Sequence, residues 1–304
     1  MMPSSIRLPW LLQRRLEAAS SHLLRPIGGP AVDFASPVGE TALAAPHSVS
    51  WRVFKNPVAL FVGGVAAVVL ELAEPAVRSG VWDHSTFRSD PLRRLRRTGL
   101  AAMVTVYGAR SLAEPMIARI VDKHARVIGR TSAGELYTAS DAKLLTWVHV
   151  TAAYGFVRAY ARYVEPLSAD ELDAVYREGA PAARLYGAPE PPMSNRAAEA
   201  LFESMRDRLE RSEAILRFLE IMRETPTLPS PLAWMQPLLV RAAVDLIPYW
   251  IRERLGLGEE YGLRLRDGWI VGAAGALANR IVLRDSPAVQ SCLRLGLPVN
   301  YLYA

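Results

Sequence analysis

Apolar residues recur along this chain at intervals of three and four, and the polar residues between them fall where helices begin and end. The densest apolar stretch runs from Trp51 to Ala73. Its uncharged part, Val58 to Leu70, stops at Glu71 and is too short to cross a bilayer, which predicts a buried core helix. Gly63-Gly64 within it permits a close helix contact or the approach of a ligand. Three helices are expected between Val81 and Glu165. Ser89-Asp90-Pro91 supplies an N-cap and a first-turn proline for the first, which Gly108 closes. Ser111 and Glu114 have the spacing of a capping box for the second, with Gly129 as its C-cap. Ser140-Asp141 starts the third, which should run to the Glu165-Pro166 boundary.

Ser168 and Glu171 form a second capping box, and Tyr186 to Pro192 reads as a loop. Ser194 then caps one long amphipathic helix, with Leu201, Phe202, Met205, Leu209, Leu216 and Leu219 on its apolar stripe. A proline-marked break at Thr225 to Pro231 separates it from a helical tail over Leu232 to Leu246, and Trp269 to Ala278 is apolar and rich in small residues. At the other end, residues 1–30 read as a short amphipathic helix with a Pro/Gly break at Pro26 to Pro30. Residues 31–50 read as an irregular arm that wraps something larger. No strand pair with alternating period and no internal repeat is visible. The expected fold is all-α: a single multi-helix globular domain over 51–304, preceded by the N-terminal helix and arm of 1–50.

Composition narrows the class. At 304 residues and 51% hydrophobic, the chain has ample material for one large core. The formal charge of +6 permits contact with polyanions, but the arginines are spread among acids rather than pooled. An ordinary mixed surface that binds no nucleic acid is the expectation. The single cysteine, Cys292, rules out an internal disulfide and any cysteine-built metal cluster. The N-terminus lacks the uninterrupted apolar core of an export signal, so the expected location is the cytoplasm. Trp10-Leu11-Leu12 beside Arg14-Arg15 suits peripheral contact with a membrane surface.

The common nucleotide, phosphate, zinc-protease and hydrolase motifs are missing, and no Glu-x-x-His pair exists for a di-iron site. What remains is histidine on apolar helix faces. His124 shares a stripe with Ile117, Ile120, Val121 and Ile128, and His149 sits with Leu145, Val148, Ala152 and Phe156. A neutral imidazole aimed into an apolar interior is what haem ligation needs. It is equally what a buried, hydrogen-bonded structural histidine looks like, and spacing alone favours that plainer reading. Arg94, Thr98, Ala101 and Thr105 lie along one helical line, a small polar strip with a cation at one end. Alone, Arg93, Arg94, Arg96 and Arg97 read better as a solvated basic face, and Tyr137 and Asp141 as a loop anchor and a helix cap.

Several ordered blocks shift that balance: NPVALFVGGVAAVVLELAEPAVRSGVWDHSTFRSDPLRRLRRT, then HARVIG, then GELYTASDAKLLTWVHVT, and the helical tail after LYG. Across roughly residues 51–250 the chain resembles the haem-oxygenase-like superfamily that includes the fungal MpaB oxygenase and the bacterial latex clearing proteins, or rubber oxygenases. The resemblance implies an all-helical fold with one b-type haem held in a pocket between helices. It implies that His124 is the iron ligand, and that Arg94, Arg97 and Thr98 match the distal Arg-x-x-Lys-Thr of the rubber oxygenases. Arg97 replaces the lysine of that motif, and Ala142 follows Asp141 where many relatives carry proline. The histidine-rich surroundings of the secreted enzymes are missing, which points away from rubber itself.

These implications define the expected chemistry: a haem b-dependent oxygenase that uses dioxygen on a hydrophobic, unsaturated, isoprenoid or lipid-like small molecule. His124 would be the proximal ligand, its second ring nitrogen donating to a carboxylate or carbonyl. Arg94, Thr98 and Arg97 would form the distal side, with His149, His84 and Tyr137 placed near the pocket. Two other classes stay open: a haem- or lipid-binding helical protein without turnover, and a basic helical adaptor for membrane or nucleic acid.

Overall fold

The computed structural model describes residues 31–303 apart from Ser85, Thr86 and Arg88, together with Gln13 and Glu17. The expected N-terminal helix of residues 1–30 therefore lies outside the described residues. The chain is mostly helical and globular. In order it forms α1 (Val49–Phe54), α2 (Pro57–Ala73), α3 (Pro75–His84), α4 (Pro91–Tyr107) and α5 (Arg110–His124), then strands β1 (Ile128–Arg130) and β2 (Leu136–Thr138). There follow α6 (Ala142–Tyr163), α7 (Ala169–Tyr186), α8 (Asn195–Ser204), α9 (Glu213–Glu224), α10 (Gln236–Leu246), α11 (Tyr249–Leu255), α12 (Leu265–Ala278) and α13 (Pro287–Arg294).

Most of the punctuation read from sequence sets these boundaries. Asp90 caps α4 through the Arg93 amide, with Pro91 in the first turn, and Gly108 closes it. Asp141 accepts the Lys143 and Leu144 amides at 2.8 and 3.1 Å to start α6. The Ser168–Glu171 capping box is fully formed. Four expectations fail, each for a physical reason. The Ser111–Glu114 box is not made, because the Glu40 carboxylate from the arm takes the Ser111 amide and hydroxyl at 2.6 and 2.8 Å. Gly129 is not a helix cap. Helix α5 ends at His124, and the β-branched pair Val127-Ile128 continues as an extended strand.

That strand pairs antiparallel with β2, Gly129 opposite Tyr137, so a strand pair does exist where none was expected. At three residues per strand it is too short to show an alternating period. Gly129 has a different task there, since a Cβ would stand 2.7 Å from the Tyr137 hydroxyl. Finally, the single long helix after Ser194 is two helices, α8 and α9. The break lets Arg208 pair with the fully buried Glu74 at 2.7 Å, and brings the Glu210 amide to the carbonyl of Ala73 at 3.0 Å. The buried C-terminus of one helix is thereby satisfied by the loss of helix in another.

Helices α2 and α6 form the centre. They run antiparallel, with Gly63 against Gly155 at one end and the Trp147 indole donating to the Leu70 carbonyl at 3.3 Å at the other. A Cβ on Gly63 would lie 2.7 Å from both the Gly155 oxygen and the Phe156 Cα, so the two backbones touch directly. Around this pair the core gathers Val62, Val65, Val69, Val150, Tyr160, Phe202, Phe218 and Val240, all buried. Among the described residues no single helix is long and apolar enough to cross a membrane; α2 and α3 pass that test only together, and they are bent by 109°.

The described part of the arm packs against the helical body. Phe34, Ala42 and Ala44 join a second core with Trp51, Tyr107 and Cys292. Arg294, only 1% exposed, ties it down by donating to the carbonyls of Phe34 and Glu40 at 2.8 Å each and of Tyr107 at 2.7 Å.

The central crossing yields a paired prediction. Gly63→Ala should destabilise by ~1–3 kcal/mol, because its methyl meets backbone that cannot yield. Gly64→Ala, whose Cβ would meet only the Phe156 ring at 3.8 Å, should be neutral or gain up to ~1 kcal/mol of helix propensity. Chemical denaturation of the two variants checks this, and equal midpoints would contradict the direct backbone contact.

Candidate functional site

Arg94 is the hub of the candidate site. It lies in the first turn of α4, where the Asp90 cap sets the rotation of the helix. Its guanidinium donates to the Thr98 hydroxyl one turn on, and that hydroxyl donates in turn to the Arg94 carbonyl at 3.0 Å. Burial pulls the guanidinium pKa down, Glu71 pushes it back up, and Arg97 lowers it further. A cation this deep is retained only where charge inside the protein has a use or a partner.

Glu71 is that partner in charge but not in contact. It comes from the last turns of α2, and burial raises its carboxyl pKa to about 7, against a smaller opposing pull from Arg94. Among the described residues no hydrogen bond or ion pair closes on the carboxylate. Glu71 and Arg94 are both enclosed by protein, yet both keep accessible surface.

His124 faces the same cation from the end of α5. Burial lowers its pKa first and Arg94 lowers it again, so the ring is held neutral. Its Nδ1 is buried with no hydrogen-bond partner among the described residues, and the carboxylate or carbonyl expected to accept from it is not in place. The apolar stripe expected around it is shorter than the sequence implied: Ile117 is buried and Ile120 and Val121 are half-buried, but Ile128 is 63% exposed in β1.

His149 has different surroundings. Burial alone pushes its pKa down to about 4, and its Nε2 has no partner among the described residues. The ring lies against α7, where a Cβ on Gly179 would stand 3.1 Å from Cε1. No interaction joins it to Arg94, Glu71 or His124 among the described residues. Of the remaining expected site residues, Arg97 is exposed on α4 and His84 is exposed at the end of α3. Tyr137 is buried in β2 between Gly80 and Gly129, near Asp83. Thr105, at the far end of the polar strip, bonds the Tyr186 hydroxyl at 3.0 Å.

The arrangement thus brings Arg94 together with Thr98, His124 and Glu71. Glu71 was missed as a site residue in the sequence, although the signal was present: it is the one charge that ends the buried apolar run. Among the described residues no group of three or more histidine, cysteine, aspartate or glutamate side chains is placed to hold a bare metal ion. A macrocycle that brings its own four donors needs only one side chain, and His124 offers a neutral imidazole with an unpartnered nitrogen. The donor chemistry therefore fits a haem. Two open recesses lie elsewhere, one of about 550 Å³ beside Tyr154, Arg158 and Arg252, the other of about 380 Å³ beside Arg78 and Trp82.

Comparison with known families gives one match: residues 51–280 fit the family described as ER-bound oxygenase mpaB/B'/Rubber oxygenase, catalytic domain. No curated protein and no solved structure matches the chain.

The two perturbed groups give opposite pH limbs. Glu71, raised to about 7 from 4.5, keeps a proton in the folded state that the unfolded chain has lost, so stability falls as pH climbs through that window. His149, lowered to about 4 from 6.5, refuses a proton that the unfolded chain accepts, so stability falls as pH drops through its own window. Relative to the parent, Glu71→Gln should gain ~1–3 kcal/mol between pH 5 and pH 8, and His149→Leu should gain a similar amount between pH 7 and pH 4. Urea titrations across that range decide it; a pH-independent difference for either variant would mean that the group titrates normally.

Proposed function

The chain belongs to the family of mpaB/B' and rubber oxygenase catalytic domains, and on that premise we propose that it is a haem b-dependent oxygenase acting on a hydrophobic, unsaturated, isoprenoid or lipid-like molecule. The observation that carries the proposal is the electrostatic neighbourhood of half-buried Arg94, whose charge acts both on the carboxyl of Glu71 and on the neutral ring of His124. A structural ion pair would be closed at hydrogen-bond distance, and among the described residues Arg94 and Glu71 make no such contact.

His124 is the side chain that would hold the haem, and the haem would supply the activation of dioxygen and the electron traffic. The residues of the chain supply the surroundings. Arg94 presents guanidinium N–H donors to negative charge that develops in the space it borders, a stabilisation that is larger in a dry site than in water. Thr98 fixes the orientation of that guanidinium from one turn away. Glu71 holds a proton at its carboxyl near neutral pH and can accept or release it there, as a general acid–base group requires. The half-buried apolar residues nearest these groups in the chain, Val68, Leu95, Ile120 and Val121, would favour an apolar substrate.

An adaptor role for the basic run of α4 is disfavoured by the same geometry. Arg94 is turned inward, and Arg96 already has a partner, which leaves a thin positive face. A haem- or lipid-binding protein without turnover would share the His124 site and differ only in activity.

Protein produced with ample haem should show a Soret band. His124→Ala should lose it or change its spin state, while His149→Ala should keep it. The reverse pattern would move the ligand to His149, and no band in the parent protein after haem titration ends the haem proposal. Arg94→Ala should retain haem but shift the C–O stretch of the ferrous carbon monoxide adduct, and reduce turnover by roughly a hundredfold or more once a substrate is known. Arg93→Ala on the exposed face is the control and should change neither.

A further inference from the structure

Helix α12 is apolar on the side that faces solvent. Arg266, Trp269, Ile270, Ala273, Ala276, Leu277 and Arg280 are exposed, and their three- and four-residue spacing puts them on one face. Trp269 is 83% exposed and Leu277 51%. The opposite side is already in use: Val271 is buried, and Gly275 packs on the backbone of Tyr163 in α6. Cβ atoms added at Gly268 or Gly272 would meet nothing within 4 Å, so none of the described residues covers the stripe there. An uncovered tryptophan, isoleucine and leucine in line are an unusual expense of apolar surface on a helix that has a packed face available.

The ends of the stripe say what would cover it. Arg264 and Arg266 stand at one end and Arg280 and Arg284 at the other, all exposed, and none makes an ion pair among the described residues. A second copy of the chain docked antiparallel on this face would bring Arg266 against Arg280 and repel. A sheet of phosphates would meet both ends at once. Tryptophan and arginine at the rim of an apolar strip is the pattern of a helix lying in a membrane interface, with the guanidinium groups at headgroup level. A second contact is made near the Arg280 end of the helix. The Glu17 carboxylate accepts the Arg284 amide at 3.2 Å, and in sequence Glu17 follows Trp10-Leu11-Leu12 and Arg14-Arg15 by a few residues.

We infer that the exposed face of α12 is a docking surface for an anionic lipid bilayer, into which Trp269, Ile270 and Leu277 insert while Arg266 and Arg280 engage lipid phosphates. The apolar area is small, so binding depends on both the inserted side chains and the lipid charge.

The test is sedimentation of the full chain with vesicles of phosphatidylcholine alone or mixed with phosphatidylserine. The parent should bind the mixed vesicles and release at high salt, with little binding to phosphatidylcholine. Trp269→Ser/Leu277→Ser, at exposed positions that leave the fold intact by circular dichroism, should lower the apparent affinity by roughly tenfold or more. Arg266→Glu/Arg280→Glu should abolish the preference for phosphatidylserine. The inference is overturned if the parent ignores anionic vesicles. It is equally overturned if binding survives both double variants and is lost only with Trp10→Ser/Leu11→Ser, or if gel filtration shows a dimer that Trp269→Ser/Leu277→Ser dissociates.

Discussion

The direct backbone contact between α2 and α6 is the constraint from which the candidate site follows. Gly63 and Gly155 remove the side chains that would hold two helices at the ordinary spacing, and each helix fills the other's groove with its own backbone. A contact this close has one register. With Gly63 opposite Gly155 and Leu70 opposite Trp147, the C-terminal end of α2 must lie beside the N-terminal half of α6. Glu71 and His149 are therefore carried to the same end of the bundle. Helices α4 and α5 close over that end and bring Arg94 and His124. Packing at one end of a helix pair thus decides which chemistry assembles at the other.

The site itself works against stability. An enclosed guanidinium and an enclosed carboxyl are each expensive to desolvate, and the attraction between them offsets that only when they touch. Here Arg94 bonds Thr98 and its own helix, while Glu71 is left to lower its charge by taking up a proton. Elsewhere the fold treats buried charge differently. Glu74, three residues on, is fully buried but caps α3 through the Val77 amide and pairs with Arg208 at 2.7 Å. Arg294 spends its donors on three backbone carbonyls. Two carboxylates at the end of one helix thus have opposite treatments, one satisfied and one left open. That contrast sets a charge the fold satisfies apart from one it leaves open, which burial alone does not.

Much of the helical framework was legible in the sequence, because helices announce themselves locally. Asp90-Pro91, Asp141 and the Ser168–Glu171 box each act over one turn, and each sits where the spacing put it. Two of the failures involve a distant partner. Nothing near Ser111 reveals that Glu40, far back in the chain, will take its amide. The break between α8 and α9 answers to Ala73 and Glu74 rather than to any local proline or glycine. The hairpin at 128–138 hid for another reason, since Gly129 is small for the sake of Tyr137 across the pair. At the candidate site, Arg94, Thr98 and His124 were singled out by the family resemblance, but the unpaired relation between Arg94 and Glu71 was not readable from sequence. It depends on the rotation of two helices far apart in sequence.

The two buried histidines show why depth alone does not identify a ligand. His149 is the deeper and the more strongly perturbed, yet burial is the whole cause of its shift and Gly179 crowds its ring. A histidine of that kind is neutral because burial disfavours its charged form, and no charged neighbour takes part. His124 is less enclosed, and Arg94 contributes to keeping it neutral. A nearby cation penalises the imidazolium but not the imidazole, so this ring stays available as a donor without being sealed into the core. Availability together with neutrality is what ligation asks of a histidine. The arginine that would face developing negative charge on one side therefore also keeps the ligand on the other side in the form that binds.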